Sequence, residues 1–195
     1  MSFETNTSCQ VREWIFIRGL QYLYFIYCYP LKTVENDDSC PARKIPPYLI
    51  SEQSQCLLSV SYNWGGFDSI DLYNEKLQRM KAGNVNTAIS PLLNCTTGVD
   101  CSGFVSNLWG LNSKWGTAQI FNNTFSIDIN MMQIGDVFVK PNYHVMLYTG
   151  NTNGEISTME SVARPGKVIV SMHPMKWFLQ HGYTPKMAYN VCPEQ

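Results

Sequence analysis

The pattern of hydrophobic and polar positions divides the chain into helix-like segments followed by strand-like segments. Residues 48–59 and 69–81 predict short helices, the second with Tyr73, Leu77 and Met80 on one face. Four later segments alternate in polarity and are bounded by glycine, asparagine or proline. These predicted strands cover residues 136–140, 144–149, 156–161 and 167–172. The order of elements predicts an α+β fold in which helices pack on an antiparallel sheet.

A further predicted helix begins at Cys101, directly after the glycine turn at Gly98. Apolar side chains recur along one face of this helix at positions 101, 104, 105, 108 and 111. Cys101 therefore lies in the first helical turn. The unpaired backbone N–H groups of such a turn favour a thiolate and can bind the oxyanion of a tetrahedral intermediate. Cys101 is the candidate nucleophile.

The first 45 residues follow a different pattern. Residues 14–17 and 20–27 predict two strands separated by a turn at Arg18-Gly19, and a polar, proline-containing connector covers 30–48. We therefore expect a β-rich extension of unknown role at 1–45 and the main domain at 46–195. The apolar run 20–29 is too short to span a bilayer and lacks a small-residue cleavage site. We expect no integral membrane association, and an export signal would lie outside this chain.

Charge and cysteine content limit the classes of partner and the kinds of site that this chain can have. A net charge of -1 with 15% charged residues lacks the basic footprint of a nucleic-acid-binding protein. Seven cysteines without CxxC spacing favour disulfides and one free thiol in an oxidising compartment over a metal site. We expect Cys101 to be the free thiol, Cys28 and Cys40 to form a disulfide, and no metal or cofactor to be bound.

The base that takes the proton of the thiol must be one of the three histidines of the chain. His144 opens a predicted strand, whereas His173 and His181 are expected to have loop or surface roles. If Gly150 and Gly154 close the hairpin loop, residue 144 pairs with Glu160, whose carboxylate would orient the imidazole. A slip by one pairing step would instead offer Thr158 or Val162.

Four blocks of this sequence resemble the NlpC-type cell-wall peptidase family. They occur in family order over residues 48–172 and comprise Tyr62-Asn63-Trp64-Gly65-Gly66, Asp100-Cys101-Ser102-Gly103-Phe104-Val105, Gly135-Asp136-Val137 and His144-Val145. The resemblance implies a papain-like fold, an extracytoplasmic location and hydrolysis of amide bonds in peptidoglycan stem peptides, typically next to D-glutamate. It also implies that Cys101 is the nucleophile, that His144 is the base and that Glu160 takes a third position where members more often have His, Asn or Gln.

The resemblance also implies a substrate-binding role for Tyr62, Asp100 and Ser102, which in some members hold a free amino end of the substrate. The alternatives are a packed aromatic ring for Tyr62 and helix capping for Asp100 and Ser102. Gly65 and Gly66 are expected to allow a close backbone turn, and Trp64 is expected in the core.

Two other functions remain compatible with the sequence. The first is a papain-like amidase or acyltransferase that acts on a different amide or ester. The second is a wall-binding module that retains the fold without catalysis, although the presence of both Cys101 and His144 favours an enzyme.

Overall fold

The structure is a computed structural model that describes residues 11–28, 38–51, 56–88 and 92–191. The α-helices in these residues are α1 (Arg12–Leu23), α2 (Pro47–Ser51), α3 (Ile70–Lys76), α4 (Cys101–Leu108), α5 (Thr117–Asn122) and α6 (Met175–Gln180). The strands are β1 (Ile26–Cys28), β2 (Cys56–Leu58), β3 (Lys81–Ala82), β4 (Thr96–Thr97), β5 (Val137–Lys140), β6 (His144–Thr152), β7 (Glu155–Val162), β8 (Lys167–Pro174) and β9 (Thr184–Lys186).

The main sheet is antiparallel throughout and has the strand order β8-β7-β6-β5-β9. Its first four strands in sequence confirm the predicted strands, while β9 was not predicted. Two small ladders lie outside this sheet, one antiparallel between β1 and β2 and one parallel between β3 and β4. The predicted α+β class, with helices and an antiparallel sheet, is confirmed.

Helices cover the main sheet on both faces. On one face, Phe104, Val105 and Leu108 of α4 belong to the same core as Val145 and Leu147 of β6. On the other face, Phe178 of α6 stacks on Phe138 of β5 with ring centroids 4.0 Å apart. Each such buried side chain contributes roughly 1.5–3 kcal/mol through removal of apolar surface from water. Both faces of β6, the strand that carries His144, are therefore held by packing.

Residues 12–23 form helix α1, so the strand predicted over 14–17 and most of the strand predicted over 20–27 are wrong. Ile15, Gly19 and Tyr22 are the buried positions of α1, and their spacing of four and three residues forms one helical face. Gly19 lies in mid-helix rather than in a turn. A Cβ at this position would lie 3.0 Å from Met159 Sδ, so the glycine allows α1 to approach β7 closely. Only Ile26 and Tyr27 of the predicted second strand lie in a strand, β1. The described residues of the extension are therefore mostly helical, with one short strand, rather than β-rich.

This helix shares its core with the rest of the molecule. Ile15 and Tyr22 belong to the same cluster of buried side chains as Phe104 of α4. The Tyr22 hydroxyl also donates a hydrogen bond to the Asp68 carbonyl at 2.9 Å. The described part of the predicted 1–45 extension thus packs directly on the predicted 46–195 domain.

Two predicted helices are shorter than expected. The predicted helix over 48–59 is replaced by α2, which ends at Ser51, and by strand β2. The helix predicted over 69–81 begins after Ser69, whose Oγ accepts the Leu72 N–H at 3.3 Å, and ends at Lys76. It ends there because the chain turns to form β3 at Lys81–Ala82 beside β4.

Two disulfides are present among the described residues, Cys28–Cys56 and Cys40–Cys95. The predicted Cys28–Cys40 pair is wrong because the β1–β2 ladder places Cys56 directly opposite Cys28. Cys9 and Cys192 lie outside the described residues. In the described part of the chain, no helix combines the length and apolar character required to cross a bilayer.

Candidate active site

Cys101 is the first residue of α4 and its side chain is buried. It is the free cysteine found among the described residues. The first turn of α4 lies against the loop before it so closely that a Cβ at Gly103 would clash with the Gly66 carbonyl oxygen. The glycine at position 103 therefore allows the loop that contains Gly66 to lie directly against the first turn of α4, next to the thiol.

The Asp100 carboxylate caps this helix and connects it to its surroundings. Its Oδ1 accepts hydrogen bonds from the Gly103 N–H at 2.8 Å and the Ser102 hydroxyl at 2.9 Å. Its Oδ2 accepts from the Gly65 N–H at 3.0 Å and the Lys114 ammonium at 2.6 Å. The capping alternative for Asp100 is thus realised, with the side chain of Ser102 bonded to the cap.

The side chain of His144 lies between Cys101 and Glu160. Its Nε2–H donates to Glu160 Oε2 at 2.6 Å, and its ring also forms a side-chain hydrogen bond with Cys101. Burial alone would lower the pKa of His144, but these two hydrogen bonds and the charges of both partners raise it from 6.5 to about 10. The surroundings therefore favour the imidazolium form. The structure brings together the three side chains that the sequence singled out for catalysis.

The register of the β6–β7 hairpin differs from the predicted one. Tyr148 lies opposite Thr158, whereas the predicted register placed it opposite Ile156. The turn is formed by Asn153 and Gly154, whose φ angles of 55° and 83° are the positive values that a two-residue hairpin turn requires. A bulge between Tyr148 and Gly150 then shifts the pairing by one residue back towards the predicted register.

Glu160 reaches His144 in spite of this shift. The observed register differs from the predicted one by two residues, and side chains along a strand alternate between faces with a period of two. Glu160 therefore stays on the same face of the sheet as His144 and contacts it diagonally. Continuation of this register beyond Leu147 brings Val162, one of the two residues that a slip would have offered, opposite His144, while the other, Thr158, is buried opposite Tyr148.

Other side chains around Glu160 were not predicted from the sequence. Burial on its own would raise the pKa of Glu160, but His144, a hydrogen bond from Ser171 and the nearby His173 lower it. Tyr183 is buried near Glu160, and the pKa of its phenol is raised by burial and by the charge of Glu160. Ser171 and His173 lie two residues apart on β8, so their side chains are on the same face of the sheet, near the Glu160 carboxylate. The period of two along that strand is the sequence signal that would have found them. His173 is thus half-buried in β8 beside Glu160, whereas the prediction gave it a loop or surface role.

A cleft of about 370 Å³ opens in front of the thiol. It is lined by Asp100, Cys101 and Ser102 at the start of α4 and by residues from four loops, among them Trp64, Gly65, Leu92, Lys114 and Tyr143. Trp64 is 36% exposed and lines this cleft, so its predicted core position is wrong. Gly65 has a φ of 82° and so takes up the close turn predicted for it.

Tyr62 lies behind the thiol. Its side chain is buried, and its pKa is raised by burial and by the nearby charges of Cys101 and Asp100. The phenol is therefore protonated at neutral pH, and its burial realises the alternative of a packed aromatic ring. A substrate-binding role for Tyr62 and Ser102 stays a prediction, and of the two side chains Ser102 is the one that lines the cleft.

Two residues of the cleft have no strong signal in the sequence. Tyr143 directly precedes His144, is 69% exposed and stands at the rim. Lys114 lies in the loop after α4 and reaches the site only through the tertiary fold. Among the described residues, no group of three or more His, Cys, Asp or Glu side chains is arranged to hold a metal ion.

Comparisons with known proteins leave the site to be interpreted from its own geometry. No protein-family model, no curated protein and no solved structure matches this chain.

Proposed function

We propose that this protein is a papain-like cysteine hydrolase that cleaves amide bonds in peptidoglycan stem peptides outside the cytoplasm. The observation that carries the proposal is the hydrogen-bonded series Cys101, His144 and Glu160, with the 2.6 Å bond between His144 and Glu160. The four sequence blocks that resemble NlpC-type peptidases supply the substrate class. The two disulfides are typical of proteins that fold in an oxidising compartment and support the location.

The first half of the reaction follows from the orientation of the imidazole. Because Nε2–H of His144 is bonded to Glu160, Nδ1 is the ring nitrogen left to take the proton of the Cys101 thiol. The thiolate attacks the carbonyl carbon of the amide, and the oxyanion that forms accepts from backbone N–H groups in the first turn of α4, which lack intrahelical partners. The imidazolium then gives its proton to the leaving amine, and an acyl-enzyme forms.

The second half reverses these roles. Neutral His144 takes a proton from water, and the hydroxide attacks the thioester carbonyl carbon. The intermediate collapses to the free carboxylate product, and the proton on the imidazolium returns to the thiolate. Glu160 stabilises the imidazolium in both halves and keeps the ring oriented, which makes it a positioning residue.

Digestion of purified muropeptides tests the proposal. We expect mass spectrometry to show new fragments that gain one water at a peptide amide bond. Cys101→Ser should lower turnover by at least about a thousandfold, because it removes the nucleophile of a group that acts as a unit. Its unfolding transition should match that of the wild type, which serves as the folding control. Equal turnover by Cys101→Ser and wild type, or intact muropeptides after digestion with the wild type, would contradict the proposal.

A further inference from the structure

Lys114 is a basic side chain in the cleft that the proposed chemistry does not use. Among the residues that line the cleft, Asp100 and Lys114 are the ones with a carboxylate or an ammonium group. The two form a salt bridge of 2.6 Å in which the Asp100 side chain is 6% exposed and the Lys114 side chain is 26% exposed. A ligand that enters the cleft therefore meets the cation of this pair rather than the anion.

The carboxylate of Asp100 is fully occupied by the protein. Each of its oxygens already accepts two hydrogen bonds, from Gly103 and Ser102 on one side and from Gly65 and Lys114 on the other. A carboxylate oxygen has about two acceptor positions. Asp100 thus has no position left for the free amino end of a substrate, which is the role that the family resemblance implies for it.

The ammonium of Lys114 has spare capacity instead. It carries three N–H donors, of which one is directed to Asp100. Among the described residues, Asp100 is the hydrogen-bond acceptor of this ammonium. The N-terminus of α4 lies at the same end of the cleft and contributes further positive potential there. Both features favour an anionic group of the ligand next to Cys101.

We propose that Lys114 determines specificity by binding a substrate carboxylate that lies beside the amide bond attacked by Cys101. This inference rests on the proposed function, since it assumes that Cys101 reacts with a substrate in this cleft. It assigns the substrate to acidic peptides that carry a free carboxylate near the cleaved bond. Lys114 is a specificity-determining residue and takes no part in bond making.

Alkylation of Cys101 by a matched pair of reagents tests this inference without a peptide substrate. Iodoacetate and iodoacetamide form the same thioether bond and release iodide, but only the first carries a carboxylate. We would measure both rates at the Cys101 peptide by mass spectrometry in the full-length wild type, Lys114→Gln and Lys114→Arg. Lys176→Gln is the control, because Lys176 is an exposed lysine of α6 outside the cleft.

We expect Lys114→Gln to lower the ratio of the iodoacetate rate to the iodoacetamide rate by about tenfold, the size of effect that loss of a hydrogen bond to a charged group has. Lys114→Arg should keep most of the preference, and Lys176→Gln should keep all of it. Glutamine can still donate to Asp100, and the use of a ratio cancels any general change in thiol reactivity.

The possible failures are distinguishable. Cys101 could prove reactive while the ratio of the iodoacetate rate to the iodoacetamide rate is the same in the wild type and in Lys114→Gln. This result would overturn the role of Lys114 and leave the proposed function standing. A wild-type Cys101 that reacts with iodoacetamide no faster than a thiol of the unfolded chain would overturn both.

Discussion

Two buried carboxylates, Asp136 before β5 and Glu160 on β7, have opposite kinds of partners. Asp136 accepts from the Arg12 guanidinium at 2.7 Å and from the Ala188 and Gln133 backbone N–H groups, both at 2.8 Å. None of these donors loses its proton near neutral pH. The region around Asp136 is therefore a fixed anchor that holds the start of α1 against the main sheet.

Glu160, in contrast, accepts a hydrogen bond from a side chain whose protonation can change. Its partners are the imidazole of His144 and the hydroxyl of Ser171, and His173 lies close by. An imidazole can take up and release a proton, and the proposed reaction requires His144 to do both, whereas the donors to Asp136 keep their protons. The comparison teaches that burial and short hydrogen bonds alone do not identify the carboxylate of an active site. A hydrogen-bond partner that can exchange a proton distinguishes Glu160 from Asp136.

Removal of the anchor gives the largest expected effect on stability. Arg12→Met leaves the Asp136 carboxylate buried without its cation, and we expect the free energy of unfolding to fall by about 3 kcal/mol. Urea titration followed by circular dichroism measures this loss. The alkylation rate of Cys101 in the folded variant should stay at the wild-type value, because the anchor does not contact the site.

The matched control is Arg79→Met. Arg79 pairs with Glu75 at 2.9 Å, but both side chains are more than 60% exposed, at 64% and 61%. Such a surface pair contributes about 0.5 kcal/mol or less. An equal loss in both variants would show that the Asp136 region is not the anchor described above.

Exchange of the second carboxylate should affect catalysis instead. Glu160→Gln keeps the shape of the side chain but removes the charge that stabilises the imidazolium, and we expect kcat to fall about a hundredfold. The loss of unfolding free energy should be smaller than that of Arg12→Met. Muropeptide turnover and urea titration on the same preparation measure the two quantities. Wild-type turnover in both Glu160→Gln and Glu160→Ala would remove Glu160 from the mechanism.

The closeness of Cys101, His144 and Glu160 could be predicted because each depends on local patterns. Cys101 opens an amphipathic helix, and the strand pattern fixes the face on which His144 and Glu160 lie. The exact pairing could not be predicted, since the bulge between Tyr148 and Gly150 has no signature in the residues. The Asn153-Gly154 turn does have one, because that dipeptide favours positive φ at both positions.

The prediction for α1 failed because exposed hydrophobic side chains hid the helical period. Trp14 and Ile17 are 57% and 40% exposed, and together with the buried Ile15 they give the run the look of a strand. Gly19 added a false turn signal, although its role is to let α1 approach Met159. The position of Lys114 depends on a loop that folds back to Asp100, and no local pattern encodes such a contact.

The pH dependence of stability gives the smallest expected effect and separates the two carboxylates further. Although burial would raise it, the pKa of Glu160 is lowered in the folded state from 4.5 by its bond to His144, by Ser171 and by His173. A group with a lowered folded pKa contributes its full stability above the unfolded value, and this contribution is lost as the pH falls through the folded pKa. Wild-type protein should therefore lose unfolding free energy more steeply below pH 4.5 than Glu160→Gln does. Urea titrations of both proteins at a series of acidic pH values measure the difference, and parallel curves would mean that His144 does not stabilise the charged form of Glu160.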